Sequence, residues 1–319
     1  MTQLQFPESA RCCRSKERAI SMNKNESIAI SAAIGRAISE NAPYIAYNDT
    51  DLKHDYEEYT SDEISALTKA GYIDGDFEKF FVIREFSNSL PIDDIPGAYM
   101  RRLFSLAKKL DADIFMHDPY IENVKIKETR RGKILLTKAD YVRGEILQYD
   151  MPYIDDDIVV PRLGFFTKSV CFPALYEGTV PWVSVCPSEI NSMKEQMERA
   201  CGRVLVLGLG LGYFPYIISA KSSVESITIV ELSRDVIDIF ESELLPQFPH
   251  RGKIRIVHAD ALEFLDGVTP DEYDYCFADI WEGVADGAEA YRRIKPHEKR
   301  LKNTVFTYWI EKEIKEYMN

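Results

Sequence analysis

The sequence predicts an α/β protein whose last third is a Rossmann-like, doubly wound sheet, preceded by a helical N-terminal domain and a small β segment. Three observations carry this. Strand and helix signals alternate from Val204 to Trp309, the pattern of a sheet covered on both faces. The first strand of that block runs straight into Gly208, Gly210 and Gly212, where missing side chains let the backbone turn tightly and approach a ligand. Acidic residues Glu231, Asp260 and Asp279 then stand at or just past the ends of the next three expected strands.

The totals set limits on function. At 319 residues the chain has room for two domains and a sizeable core. A formal net charge of −13 argues against a broad nucleic-acid footprint, which runs on clustered Lys and Arg. The one local exception, Lys125, Lys127, Arg130, Arg131 and Lys133, reads as the solvated face of a hairpin. No run approaches the roughly 18 apolar residues that span a bilayer, and nothing has the form of a secretory signal. A cytoplasmic protein with no membrane partner is expected, with a homodimer as its simplest assembly. Cys12, Cys13, Cys171, Cys186, Cys201 and Cys276 form no Cys-x-x-Cys pair, so neither a zinc site nor a disulfide framework is expected. Cys276, inside an apolar strand, reads as a small core residue.

Residues 1–22 are polar and basic without apolar period and read as a disordered tail, with Met22 a candidate start. Ile30, Ile34 and Ile38 recur at helical spacing and predict a helix that stops before Pro43. Thr60-Ser61-Asp62-Glu63 has the form of a capping box and opens a helix closed by Gly71. Phe77, Phe80, Phe81 and Phe86 supply an aromatic face, and a helix through Met100, Leu103, Leu106 and Leu110 follows Pro96. These stripes define a helical domain over 23–118.

Character changes after Pro119. Strands at 124–127 and 133–137 flank a turn at Thr129-Arg130-Arg131-Gly132, and 145–149 continues the pattern, giving a small β segment over 119–185. Asp155-Asp156-Asp157 reads as an exposed acidic loop, since three adjacent carboxylates do not converge on one ion without further oxygen ligands. An extended stretch at 178–189 ends at a helix cap, Ser188. The following helix places Ile190, Met193 and Met197 on one face. Trp182, Ser184 and Glu189 are then expected near the mouth of the glycine turn, with two equal readings: packing and helix-dipole roles, or the site itself.

The cofactor domain is expected over 186–319, with strands at 204–207, 226–231, 253–258, 273–279 and 304–309. Ligands of such sheets sit outside the carboxyl ends of the strands, at the switch point. Glu231, 19 positions after Gly212, is placed to accept the hydroxyl protons of a ribose. Asp260 is placed to accept from an exocyclic amine, and Asp279 closes the fourth strand.

This block, roughly 202–309, resembles the class I S-adenosylmethionine-dependent methyltransferases. The resemblance implies that Gly208, Gly210 and Gly212 receive the amino-acid end of the cofactor S-adenosylmethionine, that Glu231 holds its ribose, and that Asp260 with Ala261 meets adenine. Asp279 would face the methionine amine or the substrate. Within the superfamily the motifs are most similar to those of spermidine synthases: the Val204-Leu205-Val206-Leu207-Gly208 form of the first motif, Val230-Glu231 followed by a helix ending near Leu244-Leu245-Pro246, and Tyr273-Asp274 through Asp279. That likeness implies a proton-accepting Asp279, with Glu282 as a second acidic residue.

Departures accompany the resemblance. There is no Tyr-His-Glu cluster upstream of the glycines, and Ile280-Trp281 stands where small polar residues are usual. Ala278-Asp279-Ile280-Trp281 also lacks the Pro-Pro signature of base methylation. Only 40 residues follow Asp279: room for a helix, a strand around Phe306 and a terminal helix, but not for the antiparallel pair that commonly finishes the fold. Either the sheet is short or upstream strands of 158–185 cover its edge. The expected activity is methyl transfer to a small amine or hydroxyl acceptor, with Asp279 and Glu282 catalytic and Tyr213, Trp281 and Trp182 lining the substrate pocket. Three other readings stay open: aminopropyl transfer, a nicotinamide-dependent dehydrogenase, disfavoured by the Gly-x-Gly-x-Gly spacing, and a noncatalytic interaction protein on the same fold.

Overall fold

The computed structural model describes residues 22–41, 45–90, 92, 95–154 and 158–318. The tail before Met22 and the Asp155-Asp156-Asp157 loop lie outside the described residues. The chain divides into two compact units, Met1–Phe115 with Tyr141–Val170, and Met116–Asp140 with Cys171–Asn319. The stretch 119–185 is therefore shared between the units rather than forming one β segment.

In the first unit, helix α1 (Lys24–Asn41) buries Ile34 and packs Ile30 and Ile38 against the core. Helix α2 (Asp49–Glu57) was not foreseen, having no buried residue to give it an apolar period. What starts it is a capping box: Asn48 accepts the Asp51 N–H at 3.1 Å, and Asp51 accepts that of Asn48 at 2.9 Å. The expected box at Thr60 and Glu63 opens α3 (Ser61–Lys69), and Gly71 follows with φ 83°. Helix α4 (Phe77–Ser89) buries Phe80 and Phe86 fully. Helix α5 (Gly97–Leu106) ends before Leu110, which belongs instead to strand β1 (Lys108–Leu110). That strand pairs in parallel with β5 (Val159–Phe166), and β5 pairs antiparallel with β4 (Leu147–Ile154). A short helix, α6 (Ala112–Met116), follows β1.

The second unit opens with α7 (Pro119–Asn123), capped by Asp118. Its hairpin arms are β2 (Thr129–Arg131) and β3 (Ile134–Tyr141), so the turn falls at Gly132-Lys133, and 124–127 carries no strand. The shift follows from Gly132, whose φ of 51° favours glycine and whose α-carbon packs on the Asp235 carboxylate too closely for a side chain. Lys125, Lys127, Arg130, Arg131 and Lys133 are all exposed. With β6 (Val170–Glu177) and β7 (Val180–Ser184), these arms form a sheet in the order β2-β3-β6-β7.

Helix α8 (Pro187–Arg199) has its N-cap at Cys186 rather than Ser188, because Pro187 fits the first helical turn, where no N–H is needed. It buries Met193 and Met197, while Ile190 is half-buried. Five strands follow: β8 (Gly202–Leu207), β9 (Val224–Glu231), β10 (Ile254–His258), β11 (Tyr275–Ala278) and β12 (Val305–Tyr308). All pair in parallel, in the order β10-β9-β8-β11-β12. Val204–Leu207 and Tyr275–Ala278 are almost fully buried, as strands covered on both faces must be. The connecting helices are α9 (Tyr213–Ser219), α10 (Arg234–Ile239), α11 (Ala261–Gly267) and α12 (Val284–Arg300), and α13 (Glu311–Met318) closes the chain.

This is a mixed α/β architecture compatible with a Rossmann-like fold. The sheet ends at β12, since the strands between 158 and 185 belong to the other two sheets. One carbonyl at this edge, that of Tyr308, accepts from the Gln196 side chain of α8 at 3.3 Å. No helix among the described residues is long and apolar enough to cross a membrane.

Candidate functional site

Strand order reverses between β8 and β11, and the crevice at such a switch point is where sheets of this kind bind ligands. A cavity of about 560 Å³ lies there, within the usual range for small-molecule sites. Gly208, Gly210, Tyr213, Glu231, Asp260 and Ala261 line it, and so do Asp279, Trp281, Glu282 and Trp182. The structure thus brings together every residue singled out from the sequence except Gly212.

The glycine turn is shaped by protein neighbours. Gly208 has φ 97° and leaves no space for a β-carbon against the main-chain carbonyl of Asp279. Gly210 has φ 51° and faces Val183 of β7, whose Cγ1 would be 3.2 Å from an added β-carbon. Gly212, with φ 74°, turns away from the cavity: it caps α9 and presses on the Phe240 ring. The turn is also gripped from outside the cavity. Tyr120, fully buried in α7, donates its hydroxyl to the Leu211 carbonyl at 2.5 Å. Asp118 caps α7 with one oxygen and with the other accepts the Tyr213 hydroxyl at 2.8 Å. Burial and the charge of Asp118 raise the Tyr213 pKa, so this phenol stays protonated.

Glu231 is buried at the end of β9. One oxygen accepts the Leu209 N–H at 3.0 Å and the other the Ser233 N–H at 2.7 Å. Burial raises its pKa while these backbone donors oppose the rise. Asp260 caps α11, accepting the Leu262 and Glu263 N–H groups with Oδ1 at 2.8 and 3.1 Å, which leaves Oδ2 outside the cap. Exposed Leu232 and buried Ala261 supply apolar wall between these two carboxylates.

Asp279 is half-buried just past β11. Burial, reinforced by the charge of Glu189, lifts its carboxyl well above the ordinary carboxylate range. Glu189, in the first turn of α8, also lines the cavity, and burial pushes its carboxyl up to about 7. Glu282 is exposed, its N–H held by Asp286 at 2.8 Å. Trp281 is 7% exposed and stacks on Tyr308 at 6.4 Å, with an interplanar angle of 22°. Its indole N–H has no hydrogen-bond partner among the described residues.

Sequence reasoning missed a lining contributed by α12: Asp286, Glu289 and Arg293. A signal was present, since Asp286, Glu289 and Arg293 follow helical spacing and share one face of α12. It also missed Asp118 and Tyr120, which lie more than ninety positions before the loop they hold and carry no local motif.

No protein-family model matches the chain, and no curated protein matches it. Among solved structures, the chain is similar to one described as "Crystal Structure of Spermidine Synthase in Complex with Transition State Analogue AdoDATO", at 17% identity and a TM-score of 0.29. The match covers 39% of this chain and 44% of that one, so the chain spans less than half the length of the protein it matches, and so slight a likeness carries no argument about function.

Proposed function

We propose that the cavity binds S-adenosylmethionine and that the protein is a methyltransferase acting on an amine or hydroxyl of a small molecule. The observation that supports this reading is the convergence of the glycine turn with Glu231, Asp260 and Asp279 on one cavity at the switch point of a parallel sheet. The residues present fit the group. Glu231 offers carboxylate oxygens to ribose hydroxyls, Asp260 keeps an oxygen for an adenine amine, and Leu232 and Ala261 offer apolar surface to a purine. Gly208 and Gly210 would admit the amino-acid end.

The bound sulfonium would supply an electrophilic methyl group, so the chain's task is mainly alignment and proton transfer. Asp279 takes the proton of the attacking amine or hydroxyl, for which a raised carboxyl pKa is suited. Trp281, Trp182 and Tyr213 wall the acceptor side and exclude water, and an aromatic face attracts a cationic amine. Glu282, exposed at the mouth, adds negative charge where such an acceptor enters. Cytoplasmic placement is part of the same proposal.

Titration calorimetry with S-adenosylmethionine tests this reading: micromolar binding is expected, and a folded protein that does not bind it sinks the proposal. Asp279→Asn should lose transfer. The excess of carboxyl groups around the cavity also suits a multiply charged amine, which favours aminopropyl transfer as the second reading. A product assay with putrescine and each of the two cofactors, intact and decarboxylated, separates them.

A further inference from the structure

Seven carboxyl residues line the cavity, Glu189, Glu231, Asp260, Asp279, Glu282, Asp286 and Glu289, against the one guanidinium of Arg293. Three of the seven are committed to the protein. Glu231 accepts two backbone N–H groups, Asp260 caps α11, and Asp286 takes the N–H groups of Glu282 and Gly283 at 2.8 and 3.0 Å. Glu282 and Glu289 are exposed to water. Glu189 and Asp279 differ from all of these: both are half-buried, and no donor among the described residues engages either side-chain carboxyl.

Glu189 is also held firmly in place. Its helix is pinned across the sheet by the Tyr275 hydroxyl on the Gln196 carbonyl at 2.9 Å and by the Trp309 indole on Ser192 Oγ at 2.8 Å. Ser192 in turn donates to the Glu189 carbonyl at 2.8 Å. A half-buried carboxyl with no internal donor is costly when ionised, and a cation brought from outside would offset that cost.

We propose that Glu189 is a cation-recognising residue of this site, which acts with Asp279 on the positive charge of the bound ligand and gives up its proton to solvent when that ligand arrives. The inference rests on the reading of the cavity as an S-adenosylmethionine site and adds to it a residue that lies upstream of the cofactor block. The charge of Glu189 reaches Asp279, and burial raises both carboxyls, that of Glu189 to about 7. Of the remaining ionisable groups, the carboxylates of Glu231, Asp260 and Asp286 are held by backbone N–H groups, those of Glu282 and Glu289 stand in water, Arg293 is exposed, and Tyr213 is tied to Asp118. Glu189, with no donor on its carboxyl, is therefore the group whose proton a cation displaces. The neutral thioether of S-adenosylhomocysteine lacks the sulfonium charge and gains less from an ionised Glu189.

Calorimetry of the full chain with S-adenosylmethionine, at about pH 6 in two buffers of different ionisation enthalpy, reads the protons released on binding. About one proton per site is expected from the wild type and from Glu198→Gln, an exposed residue of α8 outside the cavity, and less than half of that from Glu189→Gln. At about pH 8 Glu189→Gln should bind S-adenosylmethionine roughly tenfold more weakly, with a smaller loss for S-adenosylhomocysteine. Thermal melting of each variant in the same buffers checks that it is folded. Wild-type binding without proton release overturns the inference, and so does undiminished release from Glu189→Gln; both leave the cofactor reading standing. A folded wild type that does not bind S-adenosylmethionine removes both.

Discussion

The main-chain carbonyl of Asp279 occupies the position where a side chain on Gly208 would start. These residues end the two neighbouring strands at the switch point, β8 and β11, and the Asp279 N–H also closes a 2.8 Å bond to the Leu207 carbonyl. The first glycine of the motif therefore sets how closely the two loops approach, and with it where the Asp279 carboxyl stands. Gly208→Ala meets immovable backbone at a φ of 97° and should lose about 3 kcal/mol or more of stability. Gly210→Ala meets only the Val183 side chain, which can shift, and should lose about 1–2 kcal/mol. Urea denaturation of the two variants checks the order, and equal losses would contradict it.

Tyr120 should matter to the site although it lies behind it. Tyr120→Phe keeps the ring packing against Tyr213, Tyr216 and Phe248 but deprives the Leu211 carbonyl of its donor. A loss of about 1 kcal/mol is expected from the buried hydrogen bond. If the hydroxyl also fixes the loop, cofactor affinity falls beyond what Tyr216→Phe, whose hydroxyl donates to the Pro119 carbonyl rather than to the glycine turn, causes in the same titration.

The strands of the sheet were legible because their burial on both faces leaves short apolar runs, and the convergence of the acidic residues on one cavity was legible because they stand at strand ends of a parallel sheet. Glycine spacing was less informative than it looked: Gly212 has its conformation for the sake of Phe240 and the start of α9. Leu110 continued the apolar spacing of α5 but was drawn into β1 by pairing with β5, a tertiary effect no local period records. Asp118 and Tyr120 were invisible for the same reason. Glu189 was noticed but not placed in the site, because a first-turn acidic residue is adequately explained by the helix dipole. Only its burial without a donor distinguishes it.

Glu231 supports the loop before it can serve a ribose. In Glu231→Gln one backbone N–H, of Leu209 or Ser233, meets an amide NH2 in place of an acceptor, so about 1–3 kcal/mol of stability should be lost. Cofactor binding should weaken in the same variant. Asp260→Asn retains the Oδ1 cap and should be nearly neutral for stability while still lowering affinity for an adenine-bearing ligand. Denaturation and calorimetry on both variants separate support from recognition, and a Glu231→Gln protein as stable as wild type would refute the assignment.

Glu189 should set a pH dependence of stability opposite in sign to that of a paired carboxylate. Its carboxyl lies at about 7 in the folded chain against a reference value of 4.5. Below about pH 4.5 both states carry the proton and the residue contributes nothing. Between there and about pH 7 the folded chain holds a proton that the unfolded chain has lost, so stability falls as pH rises, and above that range the loss is complete. The raised carboxyl of Asp279 acts in the same direction and adds to the decline. Comparison with Glu189→Gln isolates the effect, because other titrations cancel in the difference. The variant should match the wild type near pH 4 and exceed it by about 1–3 kcal/mol near pH 8, after allowing for water that reaches the cavity. Urea denaturation across this range measures the difference. A variant no more stable than wild type at the alkaline end would mean that a counter-charge already neutralises Glu189 in the free protein.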